Sequence, residues 1–436
     1  MHAYDAERGD FGSRISRTTR GNRHLPAAEL SDCGLKKTRA ANPQSAIRNP
    51  KFEILLERIY TAGLPEPADL EAVLRIKDPE ELGRLFDFAN EVRRRFVGDG
   101  VLLRGIIEFS NVCRNTCHYC GLQRGNDRLL RYRLTREEIL AAVGNIRAAG
   151  IKTVVLQSGE EDNLDADWLR EIVEEIKSSL DAAVTLCVGE RRREEYQLWK
   201  KAGADRYLLK IETSDPGLYD QLHPGMSFEN RKRCLRDLAD LGYQTGSGNL
   251  VGLRGQTLRH LAGDIRFFKQ GDFDMLSVSP FIPHPQTLLA EEPAGDLLLT
   301  LKMTALARIV SRNAHIPATT ALGSLHGRDE RPRALAAGAN VMMPNFTPAP
   351  YRRYYEIYPN KRCVSEDAQA CPACIEQMAG ALGRWVDYSR GDSRKHVGCA
   401  RHTFSNDHKG SRLPVETVCT AHPTELKEKR RWRKRC

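Results

Sequence analysis

The chain has 436 residues, of which 41% are hydrophobic and 28% are charged, which suits one large domain or two ordinary ones. It has no run of 18 apolar residues and no apolar segment near Met1, which argues against a membrane-spanning or secreted protein. Twelve cysteines in such a chain favour thiolate chemistry in a reducing compartment, so we expect a cytoplasmic protein without a membrane partner.

The net charge of +10 is concentrated at the two ends of the chain. Residues 1–50 hold nine Lys and Arg against five Asp and Glu, and residues 388–436 hold thirteen against five. Both ends lack a sustained apolar period, so both are predicted to be disordered basic tails. The final KEKRRWRKR run could bind RNA or acidic lipid, but a solvated end is the simpler interpretation and no nucleic-acid partner is expected.

Between the tails, helical and strand-like runs alternate. Residues 51–100 carry apolar residues at helical spacing and are predicted to form a helical cap. Eight strand-like runs follow at 103–110, 153–158, 183–188, 206–213, 246–253, 275–282, 316–322 and 339–344. Amphipathic stretches at 135–149, 166–179, 228–241 and 298–311 separate several of them, and Thr135 with Glu138 has the spacing of a capping box.

Eight alternations of strand and helix predict a (β/α)8 TIM-type barrel over residues 101–387, because each helical crossover places the next strand parallel to the preceding one. An open, doubly wound sheet is the alternative. In a barrel the reactive residues lie at the C-terminal ends of the strands.

Three cysteines follow the first predicted strand directly. Cys113, Cys117 and Cys120 have the spacing C-x3-C-x2-C, and no fourth cysteine is near them. Four thiolates would complete a zinc or iron–sulfur site, whereas three leave one iron of a [4Fe–4S] cluster open to a small ligand. The alternative is a zinc site with His118 as fourth ligand. Because His118 lies between Cys117 and Cys120 and is adjacent to Cys117, its side chain would have to bend back to the same metal, which would be strained.

This motif, placed after strand one, resembles the radical-SAM superfamily, and the resemblance implies a cluster that cleaves S-adenosylmethionine to a 5′-deoxyadenosyl radical. It also implies residues that bind S-adenosylmethionine at the ends of later strands. These are Tyr119, Ser158, Gly159, Glu160, Glu212 and Arg231. Taken singly, Glu212 could equally form a salt bridge at the barrel mouth, and Arg231 could be a surface charge.

Within the superfamily, the segments RGIIEFSNVCRNTCHYCGLQR, SPFIPHP and GANVMMPNFTPAPY resemble the HydE group of FeFe-hydrogenase maturases. The resemblance covers about 52–386. It implies a cysteine-bound iron dicarbonyl-cyanide substrate, other hydrogenase maturases as partners, and a reductant such as flavodoxin or ferredoxin. Two alternatives are a radical-SAM enzyme of amino-acid or cofactor biosynthesis, like methylornithine synthase or biotin synthase, and an RNA-binding protein with structural clusters.

The same resemblance implies a second metal site and a substrate cavity. Cys363, Cys371 and Cys374 match an auxiliary 2Fe–2S or 4Fe–4S cluster, with zinc or free thiols as the alternative, while Cys187 and Cys234 are expected in the core. The cavity residues implied are Gln157, Thr185, Lys210, Thr319, Thr320, Tyr355 and Tyr358. Lys210-Ile211 stands where the family usually has Arg-His, which puts the exact substrate in doubt more than the radical chemistry.

Overall fold

The computed structural model describes residues 50–362, 364 and 368–395. The predicted N-terminal tail, most of the C-terminal tail and Cys363 therefore lie outside the described residues. All described residues after Pro50 belong to one compact unit.

Helices surround a ring of parallel strands. The helices are α1 Pro50–Thr61, α2 Pro67–Arg75, α3 Pro79–Val97, α4 Arg136–Ala148, α5 Ala166–Ser179, α6 Arg193–Lys201, α7 Pro216–Leu222, α8 Phe228–Asp240, α9 Leu258–Gly271, α10 Leu297–Ser311, α11 Thr320–Ser324, α12 Arg331–Ala336, α13 Ala349–Arg352 and α14 Cys371–Ala381. The strands are β1 Gly100–Leu103, β2 Gly105–Ser110, β3 Thr153–Ser158, β4 Ala183–Cys187, β5 Arg206–Leu208, β6 Gln244–Val251, β7 Met275–Pro280, β8 Val341–Met342 and β9 Trp385–Asp387.

The strands close into the predicted barrel. Strands β2 to β7 pair in sequence order, all parallel, and β8 pairs with β1. Isolated parallel bridges complete the ring: Met275 with His315, Pro317 with Val341, and Asn345 with Ile106. Every β2 and β7 residue except Ser277 is buried, as expected where helices cover the outside of a parallel sheet.

Several helices match the sequence pattern closely. Thr135 caps α4: its backbone N–H donates to Glu138 Oε2 at 2.9 Å, and Glu138 N–H donates to Thr135 Oγ1 at 3.2 Å. The capping box is therefore confirmed. Helix α2 packs against α9 and α10, and α3 packs against α10 and α12.

The seventh predicted strand differs most. Only His315 and Pro317 make bridges, and the chain turns into α11 at Thr320, with Thr319 as N-cap. Pro317 has no N–H to continue a ladder, and Thr319 makes no side-chain hydrogen bond as N-cap. The fourth predicted strand ends at Leu208 rather than 213, and beyond it Glu212, with φ = 63°, makes an isolated parallel bridge to Asn249.

The C-terminal boundary at residue 388 falls inside a packed segment. Strand β9, which the sequence did not predict, pairs with β1, and the chain then crosses the N-terminal end of the barrel. There Asp392 forms an ion pair with the fully buried Arg206 at 2.8 Å, and Ser393 Oγ donates to Asp274 Oδ1 at 2.5 Å. Residues 388–395 therefore belong to the folded body, because their polar groups bond to the starts of buried strands.

Candidate active site

A cavity of about 350 Å³ opens at the C-terminal ends of the strands, where a barrel enzyme places its active site. This cavity is lined by all but one of the residues predicted for the cysteine cluster site, the S-adenosylmethionine site and the substrate site. They are Cys113, Cys117, Tyr119, Cys120, Gln157, Ser158, Gly159, Glu160, Lys210, Glu212, Arg231, Thr319, Thr320, Tyr355 and Tyr358.

Thr185 is the exception, and its assignment to the cavity wall is corrected. It is buried below the cavity on β4, and its hydroxyl has no hydrogen-bond partner in the described part of the chain. Cys187, two residues further along the same strand, lines the cavity instead. Residues i and i+2 of a strand share a face, so Cys187 occupies the layer above Thr185 and is not a core residue. Cys234 is buried as expected.

The cysteine loop is fixed to the barrel by main-chain hydrogen bonds. Arg114 N–H donates to Glu160 O at 2.8 Å, His118 N–H to Leu222 O at 3.0 Å, and Gly121 N–H to Ile357 O at 2.8 Å. These three contacts tie the loop to the ends of different strand–helix units. The loop conformation is thus set by the barrel rather than by the loop sequence alone.

Arg131 holds the other side of the loop. Its Nη1 donates to the carbonyls of Asn111 and Leu122 at 2.7 and 2.8 Å, and its Nη2 to those of Gln123 and Asn126 at 2.7 and 3.2 Å. A planar guanidinium can satisfy four carbonyls in this way, whereas an ammonium cannot. Sequence reasoning missed Arg131, because its partners come from a coil without periodic pattern.

Two glycines permit close backbone approach beside the cysteines. A Cβ on Gly121 would lie 2.1 Å from Glu356 O, and a Cβ on Gly159 would lie 2.2 Å from Val112 O. Neither position can carry a side chain without displacing backbone. Gly159 therefore brings the end of β3 against the first cysteine of the motif.

The three thiols are partly shielded from solvent and face a common space. Burial raises the pKa of Cys113 and raises that of Cys120 to about 12. Burial also raises the pKa of Cys117 well above its usual value, and the neighbouring Cys120 and Cys113 thiolates raise it further. Because their pKa values are raised, three thiolates this close together need bound cations to stay deprotonated. The three sulfur donors therefore fit the iron ions of an iron–sulfur cluster.

The arrangement differs from that of a mononuclear site. Within residues 50–362, 364 and 368–395, no three His, Cys, Asp or Glu side chains are placed to hold a single metal ion. His118, the fourth ligand of the zinc alternative, is absent from the residues that line the cavity.

Two acid–base pairs lie beside the thiols. Glu160 Oε1 accepts from Arg114 Nη2 at 2.8 Å, and Glu160 Oε2 accepts from the N–H of Glu190 at 2.8 Å. Glu190 Oε1 in turn accepts from Arg231 Nε at 2.6 Å. Burial opposes the charge of Arg231, but Tyr219 and Glu190 raise its pKa well above the usual value. Arg231 is therefore a fixed cation at the cavity wall, and Glu190 is a partner that sequence reasoning missed.

Glu212 projects into the cavity from a strained backbone position. Its φ of 63° is rare for a residue with a side chain and costs about 1 kcal/mol or more. Its Oε2 lies 2.8 Å from Lys210 Nζ but makes no hydrogen bond of good geometry within the described residues. Behind it, the buried Asp264 accepts from Ser214 N–H at 2.6 Å. This contact fixes the turn that presents Glu212.

A buried ion pair that sequence reasoning also missed forms another part of the wall. Lys361 Nζ lies 2.7 Å from both carboxylate oxygens of Glu108 and donates to Tyr355 O at 3.0 Å. Asn345 Nδ2 donates to Glu108 Oε2 at 3.0 Å, and Gln157 Nε2 donates to Tyr355 Oη at 3.1 Å. Glu108 could have been noticed as the one charged residue in the apolar run GIIEFS.

The second cysteine group is only partly described. Cys371 is half-buried at the start of α14, and Cys374 is exposed one turn later. Cys363 lies outside the described residues. The auxiliary cluster accordingly stays a prediction.

The barrel, the three-cysteine loop after its first strands and the cavity above them define a radical SAM protein, and residues 107–268 match the Radical SAM superfamily. The chain is 52% identical to the [FeFe] hydrogenase maturase subunit HydE of Thermotoga maritima over 72% of this chain and 90% of the relative. The chain belongs to the HydE family. Family membership implies a [4Fe–4S] cluster and S-adenosylmethionine.

More distant relatives share the architecture. The chain is 32% identical to 3-methylornithine synthase of Methanosarcina acetivorans over 63% of this chain and 77% of the relative. The crystal structure of methylornithine synthase (PylB) superposes with a TM-score of 0.66 at 26% identity, covering 76% of this chain and 97% of that one. The maturase HydG superposes with a TM-score of 0.67 at 18% identity over 79% and 77%, which is a likeness of fold alone. In the described residues, no helix is long and apolar enough to cross a membrane.

Proposed function

We propose that this protein is a radical SAM enzyme that acts in maturation of the H-cluster of FeFe-hydrogenase, with Cys113, Cys117 and Cys120 as its cluster ligands. The observation that carries the proposal is the convergence of these three thiols on one cavity at the strand ends. The identity to HydE supports this reaction over the methylornithine synthase and biotin synthase alternatives. The RNA-binding alternative has no support from the barrel or the cavity.

When bound at the three cysteines, a [4Fe–4S] cluster supplies the electron that splits the sulfonium of S-adenosylmethionine into methionine and a 5′-deoxyadenosyl radical. The chain binds and orients the methionine part. Arg231 is a fixed cation for its carboxylate. Glu212 is a better acceptor for its ammonium than Glu160, because both carboxylate oxygens of Glu160 already accept hydrogen bonds.

The adenosine part has to lie against backbone and flat side chains. Ser158 and Gly159 end β3 at the cavity, and Gly159 leaves the main chain open to close approach. Tyr119 Oη lies 2.8 Å from His223 Nε2, and burial lowers the pKa of that imidazole to about 3, so His223 is neutral. Because His223 is neutral, the Tyr119–His223 pair can contact the adenine ring without placing a charge beside it.

The substrate occupies the deeper cavity. Gln157, Lys210, Thr319, Thr320, Tyr355 and Tyr358 surround it. A lysine with several hydroxyls suits a small anionic substrate, such as a cysteine-bound iron dicarbonyl-cyanide complex delivered by a partner maturase. Tyr355 is buried and Tyr358 is half-buried at this wall of the cavity, so both limit the access of solvent-borne hydrogen-atom donors to the radical. The reaction requires a reductant such as flavodoxin or ferredoxin. Two further predictions are an auxiliary cluster at Cys363, Cys371 and Cys374 and a cytoplasmic location.

The test is anaerobic reconstitution with iron and sulfide, followed by reduction with dithionite and addition of S-adenosylmethionine. Wild type should bind about four irons at this site and form 5′-deoxyadenosine, while Cys117→Ala should do neither. Cys234→Ala is the matched control, since it removes a buried thiol away from the cavity. A cluster-loaded wild type that forms no 5′-deoxyadenosine with any candidate substrate would overturn the proposal.

A further inference from the structure

The cysteine loop lies beneath a basic exposed surface. Residues 122–133 contain four arginines and a single acidic residue, Asp127. Arg124, Arg128 and Leu130 are exposed, Leu130 by 60%. We call these three residues, together with the exposed Arg353, the arginine surface.

Two members of the arginine surface, Leu130 and Arg353, lie close together. Asn111 Nδ2 donates to both Leu130 O and Tyr354 O, at 2.8 and 2.7 Å, which places Leu130 beside the Arg353–Tyr354 pair. Arg353 lies over the Tyr354 ring at 4.7 Å. Leu130 therefore offers an apolar contact beside the exposed guanidinium of Arg353.

The charges on this surface are largely uncompensated. Arg133 pairs with Glu161, but no ion pair involves Arg124 or Arg128 within residues 50–362, 364 and 368–395. The acidic groups nearby are Asp127 and the half-exposed Glu356. Excess positive charge that is not used inside the chain remains available to an acidic partner.

The same surface is the solvent-facing side of the cysteine loop. Arg124 N–H donates to the carbonyl of Asn115, which lies between Cys113 and Cys117, at 2.7 Å. Arg124 is four residues from Cys120, so their Cα atoms are at most about 14 Å apart. Arg131 connects the segment that carries Arg124 to the end of β2 before the cysteines, because it donates to the carbonyls of both Gln123 and Asn111. An electron that enters at this surface therefore has a short, well-packed path to the cysteines.

We propose that the arginine surface is the docking site of an acidic one-electron carrier protein. The inference rests on the proposed function, because reductive cleavage of S-adenosylmethionine needs one external electron for each radical formed. The carrier gives up one electron at this surface and leaves oxidised, and the electron is consumed in breaking the carbon–sulfur bond. Contacts of this kind are small, transient and steered by charge, which suits a few arginines around one leucine.

The test compares Arg124→Glu/Arg128→Glu with Arg147→Glu/Lys201→Glu. The control pair makes the same change of charge at exposed positions in the last turns of α4 and α6, which lie at the opposite end of the barrel. The probe is an acidic flavodoxin. Binding of its oxidised form is measured directly at several salt concentrations, and 5′-deoxyadenosine formation is measured with flavodoxin and its NADPH-dependent reductase, or with dithionite.

Arg124→Glu/Arg128→Glu should weaken flavodoxin binding about tenfold or more, flatten its salt dependence and slow flavodoxin-driven turnover, while dithionite-driven turnover stays within about twofold. Arg124→Gln/Arg128→Gln should give an intermediate loss. Unchanged binding in the Glu pair, or an equal loss in the control pair, would overturn the docking site. Absence of dithionite-driven turnover in wild type would instead count against the proposed function, while the binding result would still stand.

Discussion

Lys361 places its ammonium 2.7 Å from each carboxylate oxygen of Glu108, although 253 residues separate the two. Both side chains are at least nine-tenths buried and both line the cavity. The pair joins the first strands of the barrel to the segment that follows β8. It also fixes Tyr355, whose carbonyl accepts from the same ammonium.

Replacing Lys361 by methionine should destabilise the protein by about 3 kcal/mol, because Glu108 would be left as a buried charge with only Asn345 as a side-chain partner. Anaerobic urea unfolding measures the loss. The double variant Glu108→Gln/Lys361→Met removes both charges and should recover part of it. If the double variant loses as much stability as Lys361→Met and Glu108→Gln lose when each is measured alone and the two losses are added, the pair does not interact.

The Gly121 position should be intolerant of a methyl group. Gly121→Ala would force the new Cβ against Glu356 O at 2.1 Å, costing about 2 kcal/mol and displacing the loop beside Cys120. Iron content after reconstitution and dithionite-driven 5′-deoxyadenosine should fall together. Gly144→Ala is the control: it lies in α4 with nothing within 4 Å of a new Cβ, and should stabilise the protein by up to about 1 kcal/mol.

The cysteine site could be predicted from sequence because its three ligands lie within eight residues of each other. The strand ends that face it followed from the alternation of strand and helix. The partners of these residues could not be predicted in the same way, since Glu190 bonds to Arg231 across 41 residues and Lys361 to Glu108 across 253. Such pairs depend on which strands are neighbours, and a single sequence does not contain that information.

The irregular strands were missed for a different reason. The run IPATTAL is apolar and β-branched, which is typical of a strand, but Thr319 starts a helix there. The run RYLLKIET likewise looks extended throughout, but the strand covers only Arg206–Leu208, and Glu212 has a positive φ while it bonds to Gly248 and Leu250. In both places tertiary contacts override local preference.

Arg131 should be necessary for the shape of the cysteine loop. Arg131→Ala would remove the donor of the Asn111, Leu122 and Asn126 carbonyls, while Gln123 O keeps the Asn126 N–H. The variant should be destabilised by about 2 kcal/mol or more and should lose iron on reconstitution. Arg131→Lys should recover little, because one ammonium cannot reach all four carbonyls. Arg136→Ala removes a nearby arginine from an exposed pair with Glu175, and should change stability by less than about 1 kcal/mol. If both alanine variants retain iron equally, Arg131 does not shape the loop.

Asp264 should make stability depend on pH near neutrality. Burial raises the pKa of its carboxyl to about 7, and the hydrogen bonds from Ser214 and Asn249 only partly oppose this. Between the unfolded value near 4 and the folded value near 7, the folded state holds more protons than the unfolded state. The contribution of Asp264 to stability is therefore present at low pH and falls as pH rises, by at most about 1.4 kcal/mol per unit.

Asp264→Asn removes this titration while keeping a side chain of the same shape. The difference in unfolding free energy, wild type minus variant, should become less favourable to wild type as pH increases from 5 to 8. Anaerobic urea unfolding at four pH values measures it, with Asp240→Asn on α8 as an exposed carboxylate control. A difference that does not change with pH would show that Asp264 titrates normally. The turn that presents Glu212 would then be held by a charged Asp264 throughout the working range of the enzyme.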